Sequence, residues 1–472
     1  MKRAHIGIGL LFSLLLGTGA GCTKGTDQAT LDLAKPVTLQ YWRPFDGTDA
    51  FDPIIAKYRA LHPNVTIEYR RLRPEEYEQE LVNALAEDRG PDLFTIPSDS
   101  LRGYIPKLAP MPKDYKMASI VSTGDLKGTT TINVENKKGL SARGLQQNFL
   151  DVVAQDVVLP ANGSGKLGNL GTDNIYGLPL SMDTLMLLYN KDILSNSGIA
   201  QPPTNWTEFL KNVEDLKKVD EVTDTIIRPG AVIGTAENVP RSGDILSLIM
   251  MQAGAQMVDE NGQPTFHMVP PGSKASIAPG IDALRFYTDF ASPKKNAYTW
   301  NELQGDGLES FIQGKVGFMF AYAYQLPLIK ARSPKLNYGI APVPQMTPAK
   351  PVNMAYYWVE GVSKKSKNPN VAWDFLLFAA QKDNVASYLS ATQKPTALKS
   401  LVATQQEDVV LGPFADQLLT AKTWYRGKDG KAKDAILKEL ITNILKATSA
   451  NSNEQFNKAI ENAVSKISQT LY

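Results

Sequence analysis

Residues 37–96 alternate between two hydrophobic periods, and the short links between them leave room for one kind of sheet. Val37, Leu39 and Tyr41 recur every second residue, as in a strand, and Phe51, Ile54, Ile55, Tyr58 and Leu61 then recur at helical spacing. Pro63 ends that helix, and Val65, Ile67 and Tyr69 alternate again. Pro74 and Glu75 open a second helix with Tyr77, Leu81, Ala84 and Leu85 on one face. Gly90 and Pro91 stop it, and Leu93 to Ile96 form a short apolar strand. The order β-α-β-α-β with such brief connections predicts a parallel sheet and an α/β protein. In sheets of this kind ligands sit outside the carboxyl ends of the strands, here near 42–49 and 97–103.

Beyond this unit the pattern loosens. Gly-rich runs at 124–144 and 162–171 make 118–171 read as helix plus surface loops. Ile175 to Tyr189 returns to apolar strand character, interrupted by Ser181, Asp183 and Thr184. Asn205 and Glu208 stand at capping-box spacing and predict a helix start. Helical patterns follow at 243–254, 281–290, 303–313, 372–380, 409–422 and 434–466, with strands expected at 316–322 and 338–342.

The N-terminus bears on the compartment. Lys2 and Arg3 precede an apolar stretch, Ile6 to Gly21, that is short for a membrane span. Cys22, the only cysteine of the 472 residues, follows directly. This arrangement resembles a bacterial lipobox, in which the thiol carries lipid, although Gly19 stands where that motif prefers Leu. The expectation is a signal peptide over 1–21 and a lipidated tether over 22–36; an uncleaved anchor, or plain secretion with a free thiol, are the alternatives. Loss of Lys2 and Arg3 with the signal brings Lys+Arg from 50 to 48, level with Asp+Glu at 48. A chain of zero formal charge is a poor candidate for non-specific nucleic-acid binding, which rests on phosphate neutralisation. A single cysteine also excludes an intrachain disulfide, so stability must come from burial.

Nine segments, in order, carry a resemblance over about 430 residues. They are "VTLQYW" with "FDPIIAKYRALHPNVTIEY", "PDLFTI", "IYGLPLSMDTLMLLYNKDIL", "PPTNWTEFL", "FIQGKVGFMFAYAY", "YGIAPVP", "VSKKSKNPNVAWDFLLF", "TQKPTALKS" and "LLTAKTWYRG". Together they resemble the extracellular solute-binding proteins of ABC sugar importers, the maltose-binding-like family 1. The resemblance implies a periplasmic-binding-protein-like fold of two discontinuous α/β lobes, 37–182 with about 356–412 and 183–355 with about 413–472. The lobes would be joined by strands crossing near 182–185, 355–360 and 411–414. It further implies a monomer at the cell envelope, outside the cytoplasm, that closes on a carbohydrate and passes it to ABC permease subunits. The chain lacks a GxxxxGK[ST] loop, so the ATPase would be another polypeptide.

A sugar presents hydroxyls at its edges and weakly apolar faces, so its site needs carboxylates or amides and flat rings. Trp42 and Asp46 flank the end of the first strand, and each has a structural alternative, as a buried strand residue and a turn former. Arg43 lies between them. Asp99 matches a position where relatives carry a sugar-binding carboxylate, with helix capping as its alternative. Pro97 here replaces the aromatic that relatives often carry. Asp183 matches an acidic ligand-binding position at the first crossing, and a carboxylate inside an apolar run is costly to bury without a partner. Tyr322 and Tyr324 follow a strand that presents side chains to sugar in relatives, and Trp424 matches a stacking position. Among Tyr356, Tyr357 and Trp358, the last is the best candidate. Asp244 is equally readable as a cap. Trp206 and Trp373 read as core.

Catalysis has little to work with. The three histidines, His5, His62 and His267, lie in no HExxH, and CxxC and GxSxG are absent too. No metal or cofactor is expected. Glycoside hydrolysis, which needs only two carboxylates, is the enzymatic alternative. A binder of polyamine, peptide or chelate on the same fold is another, and a structural lipoprotein a third.

Overall fold

The computed structural model describes residues 27–123, 129–160, 174–220 and 222–472, so the expected signal peptide and Cys22 lie outside the described residues. Of the expected tether, Gln28–Leu33 forms a short helix capped by the Asp27 carboxylate, which accepts from the Thr30 N–H at 2.7 Å, and it buries no side chain. Among the described residues no helix is long and apolar enough to cross a membrane.

The Val37–Arg43 strand lies between Val65–Arg71 and Leu93–Pro97 and is parallel to both, with Tyr41 opposite Tyr69 on one side and Leu93 on the other. Helices Thr48–Leu61 and Pro74–Ala86 return the chain across the sheet, as parallel pairing demands. They bury Phe51, Ile54, Tyr58, Tyr77 and Leu81 in the first core. The next strand of this sheet, Trp358–Ser363, arrives from far downstream and runs antiparallel to Leu93–Pro97, with Glu360 opposite Thr95.

A second sheet orders Ala231–Val232, Phe318–Ala321, Met186–Asn190 and Tyr338–Ala341. Its core is aromatic: Trp206 stacks on Phe320 at 5.8 Å and Phe209 meets Phe318 at 5.5 Å. The Trp206–Leu216 helix begins as expected, with Asn205 accepting from the Glu208 N–H at 3.0 Å. The Glu208 carboxylate, however, reaches one residue further back than a capping box requires, to the Thr204 N–H at 2.8 Å.

The two cores are separate, and the chain passes between them along a small sheet of Asp183–Thr184, Asn353–Tyr356 and Ala421–Lys422. Met182 belongs to the first core and Leu185 to the second; Met354 belongs to the second and Ala355 to the first. The last passage is more extended. Leu411 and Phe414 pack in the second core, Ala415, Leu418 and Ala421 in the first, and Trp424 in the second again.

Several expectations are corrected. Within 118–171 the structure contains a long antiparallel ribbon, Asp114–Thr123 with Thr129–Lys138, before helices Ala142–Asn148 and Asp151–Val157. The Thr, Val and Ile residues of 119–134 favour a strand, a signal that the neighbouring glycines obscure. Residues 124–128 and 161–173 lie outside the described residues. The 434–466 pattern divides into Gly430–Ser449 and Asn453–Gln469 around Asn451, which takes φ +52°. Gly305, at φ +72°, separates a turn at Glu302–Gln304 from the Gly307–Ile312 helix. The 409–422 helix is confined to Gly412–Leu418.

Candidate functional site

Strand alternation sorts the residues at the end of Val37–Arg43. Tyr41 and Arg43 project to one face and Trp42 to the other. On the first face Glu360 is fully buried. Its carboxylate accepts from the Tyr41 hydroxyl at 2.7 Å and Thr95 Oγ1 at 3.2 Å, and pairs with Arg43 Nη2 at 3.1 Å. Burial pushes this carboxyl above its ordinary range, against the pull of Arg43. The chain then turns at Asp46, which takes the left-handed conformation (φ +59°) that Asp tolerates better than most residues. The Asp46 carboxylate meets Lys394 Nζ at 2.6 Å and accepts from the Tyr388 hydroxyl at 2.8 Å. Burial would raise its pKa, but Arg43 and Lys394 outweigh that and hold it below the ordinary value.

These groups form one wall of a cavity of about 450 Å³ between the two cores, within the roughly 300–1,000 Å³ usual for ligand clefts. Arg43, Phe45, Asp46, Trp358, Glu360 and Lys394 line it from the first-core side, and Asp183, Ala323, Tyr324 and Pro327 from the other. Asp183 accepts from three backbone N–H groups: Thr184 at 2.9 Å, Ala323 at 3.0 Å and Tyr324 at 3.2 Å. Despite these bonds, burial raises its pKa from 3.8 to about 7. The partner that a buried carboxylate requires is thus the start of the Ala323–Gln325 turn, and one carboxylate oxygen, with a single N–H on it, keeps acceptor capacity.

Aromatic rings complete the wall. Trp358 stands edge-on to Phe45, with centroids 5.0 Å apart. Tyr324, half exposed at 49%, stacks on Tyr322 at 6.0 Å. Tyr356 lies under the Arg241 guanidinium at 4.2 Å.

Of the residues expected to hold ligand, Asp46, Asp183, Tyr324 and Trp358 are brought together around this cavity. Asp99 lines an adjoining one of about 230 Å³. It caps no helix and is paired with the buried Lys433 at 2.9 Å. Three candidates are placed away from the larger cavity. Trp42 is buried on the opposite face of its strand, beneath the Arg70 guanidinium at 4.7 Å. Tyr322 is fully buried and donates to Asp244 at 2.8 Å. Trp424 is 4% exposed, packs in the second core and lines a void of about 20 Å³. Asp244 is not a cap but the ion partner of Arg241 at 2.8 Å.

Glu360, Lys394 and Phe45 escaped the sequence reading. The argument applied to Asp183, a carboxylate inside an apolar run, would have found Glu360 in "AYYWVEGV". Lys394 sits in "TQKPTALKS", beside Gln393 at φ +53°, with nothing local to mark it. Among the described residues no cluster of three or more His, Cys, Asp or Glu is placed to hold a metal ion.

Comparison with known proteins places this architecture. A binding protein of Brucella abortus is 26% identical over 277 residues, 54% of this chain and 61% of its own length, so the chain spans about three fifths of that relative. The cyclic α-maltosyl-1,6-maltose binding protein of Arthrobacter globiformis superposes with a TM-score of 0.67 at 17% identity, over 92% of this chain and 99% of that one. The sugar-binding protein MalE of Xanthomonas citri gives 0.63 at 17%, over 92% and 97%. The fold is therefore that of the periplasmic binding proteins. The family model for bacterial extracellular solute-binding proteins matches residues 45–386, and the chain belongs to that family of binding proteins, not enzymes.

Proposed function

We propose that this protein captures an extracellular carbohydrate between two lobes, 37–182 with about 356–412 and 183–355 with about 413–472, and closes on it by a hinge in the linking strands. It then hands the ligand to the permease of an ABC importer. The observation that carries this reading is the composition of the 450 Å³ cavity, where Asp46, Asp183 and Glu360 stand among the rings of Tyr324, Tyr356 and Trp358. Carboxylates accept from hydroxyls, and rings cover the apolar face of a pyranose. The cations in the wall, Arg43 and Lys394, are already matched by Glu360 and Asp46, which favours a neutral ligand over an anion. The named ligands of the structural relatives, a cyclic maltosyl-maltose among them, support the same class. Asp46, Asp183, Tyr324 and Trp358 are assigned to ligand contact, and Asp99 to the adjoining space. Trp42, Tyr322 and Trp424 act as supports behind the wall. Cys22 is assigned as the lipid anchor that keeps the protein at the envelope.

Thermal unfolding against a panel of mono- and oligosaccharides, with polyamines and short peptides as controls, tests the reading. Ligand at 100-fold above its Kd adds about 2.7 kcal/mol to the folded state. A saccharide that raises the midpoint, and ceases to in Asp183→Ala, supports it. A response to polyamine or peptide alone replaces sugar with that solute.

A further inference from the structure

The cleft has two rooms. Beside the 450 Å³ cavity lies the 230 Å³ one, and the two share Phe45, Tyr356 and Trp358 as a common wall. The smaller room is also built from both sides: Tyr77, Asp99 and Tyr104 face Arg241, Lys431 and Asp434. Its cations are all paired, and its carboxylates outnumber them by one. Asp99 and Asp434 share Lys433 at 2.9 and 3.0 Å, Arg241 pairs with Asp244, and Glu78 with Lys431. A chamber whose cations are all taken, and whose carboxylate oxygens remain as acceptors, favours hydroxyl donors over an anion.

Resting on the carbohydrate reading above, we propose that the ligand is an oligosaccharide of at least three units that runs from the Asp183 chamber past Trp358 into the Asp99 chamber. Size supports this. A disaccharide has about two dozen non-hydrogen atoms, which suits a cavity of roughly the volume of the larger room alone. The smaller room adds space that a mono- or disaccharide would leave to water. The partition supports it as well. A saccharide chain is polar at its edges and apolar on its faces, so it crosses between two polar rooms most favourably over aromatic rings. Trp358 is positioned for this, braced edge-on by Phe45 at 5.0 Å and by Tyr77 at 6.3 Å. The exposed Glu78–Lys431 pair stands in the lining of the smaller room and joins helix Pro74–Ala86 to the start of Gly430–Ser449 across the cleft.

Calorimetric titration of the purified protein with gluco-, manno-, galacto- and xylo-oligosaccharides of one to five units tests this. For the series that binds, Kd is expected to fall at least tenfold between the two-unit member and the three- or four-unit member. Glu78→Trp and Lys431→Trp, both at exposed side chains, place bulk at the smaller room. Each is expected to abolish that gain while leaving the two-unit Kd within about twofold. Affinity that reaches its limit at one or two units overturns the proposal, as does a length gain that survives both variants or variants that weaken every length alike. Binding of no saccharide, with a response to polyamine or peptide, would instead overturn the carbohydrate reading beneath it.

Discussion

Asp183 makes the folded protein sensitive to pH in a calculable direction. Its carboxyl titrates at about 7 in the folded chain against an ordinary 3.8, because burial disfavours the anion more than three backbone N–H bonds favour it. The folded state therefore holds this proton where the unfolded state has released it. The contribution is fully present below about pH 4 and is lost as pH rises to about 7. Between pH 5 and 7 the folded carboxyl keeps a proton that the unfolded chain has released, so stability falls by about 1.36 kcal/mol per pH unit, roughly 2.7 kcal/mol in all. Asp183→Asn removes that dependence but has its own cost. One amide oxygen can still accept from Thr184 and Ala323, while the amide nitrogen faces the Tyr324 N–H and leaves it without an acceptor, at about 1–3 kcal/mol. The variant should thus be less stable than the native protein at pH 5 and about equal to it, or more stable, at pH 8. Unfolding entropy near 2.1 cal/mol/K per residue makes 2.7 kcal/mol worth about 3 °C for a chain of this length, more if one lobe melts alone. Differential scanning calorimetry of both proteins without ligand at pH 5, 6, 7 and 8 measures it. A difference in melting temperature that is flat with pH, or widens toward alkali against the variant, refutes the account of Asp183.

The remaining expectations concern the wall and the two cores. Trp358→Ala should weaken saccharide binding by about 2 kcal/mol, near 30-fold in Kd, because it removes a ring from the cavity wall. Trp42→Phe, behind the wall, should leave the Kd unchanged by the same calorimetry. Lys433 is buried between Asp99 at 2.9 Å and Asp434 at 3.0 Å, so Lys433→Met should cost about 3–5 kcal/mol, read as a fall in melting temperature. Tyr115→Phe deletes one of the hydroxyls donating to the buried Asp374, at 2.9 Å, while Tyr58 and Lys137 remain. It should cost about 1 kcal/mol in melting experiments.

Local pattern reported the first half of the first sheet well. Three strands and two helices between Val37 and Pro97 were legible because each buries one face over consecutive residues, and the period of that face is written along the chain. The 114–138 ribbon was not, since its glycines outweighed its β-branched residues in a local reading. Asp183 stood out because an acid among apolar residues demands an explanation wherever it occurs. Glu360 satisfies the same criterion, but it follows the run Tyr356, Tyr357 and Trp358, and only the long-range pairing of this strand with Leu93–Pro97 decides which of these residues face the cavity.

What sequence alone determined was the α/β class, the family through its nine segments, and the supply of carboxylates and rings at strand ends. What the tertiary structure decided was which of them share a space. Trp42 and Arg43 are neighbours in the chain, yet the pleat turns one into the core and the other toward the ligand wall. Lys394 reaches Asp46 only because the first sheet is completed by a strand from beyond residue 350, and Asp183 meets its donors only where the 323–325 turn returns to it. Backbone period is a local property that adjacent residues reveal, whereas the cleft is formed by contacts between residues hundreds of positions apart, which no local pattern encodes.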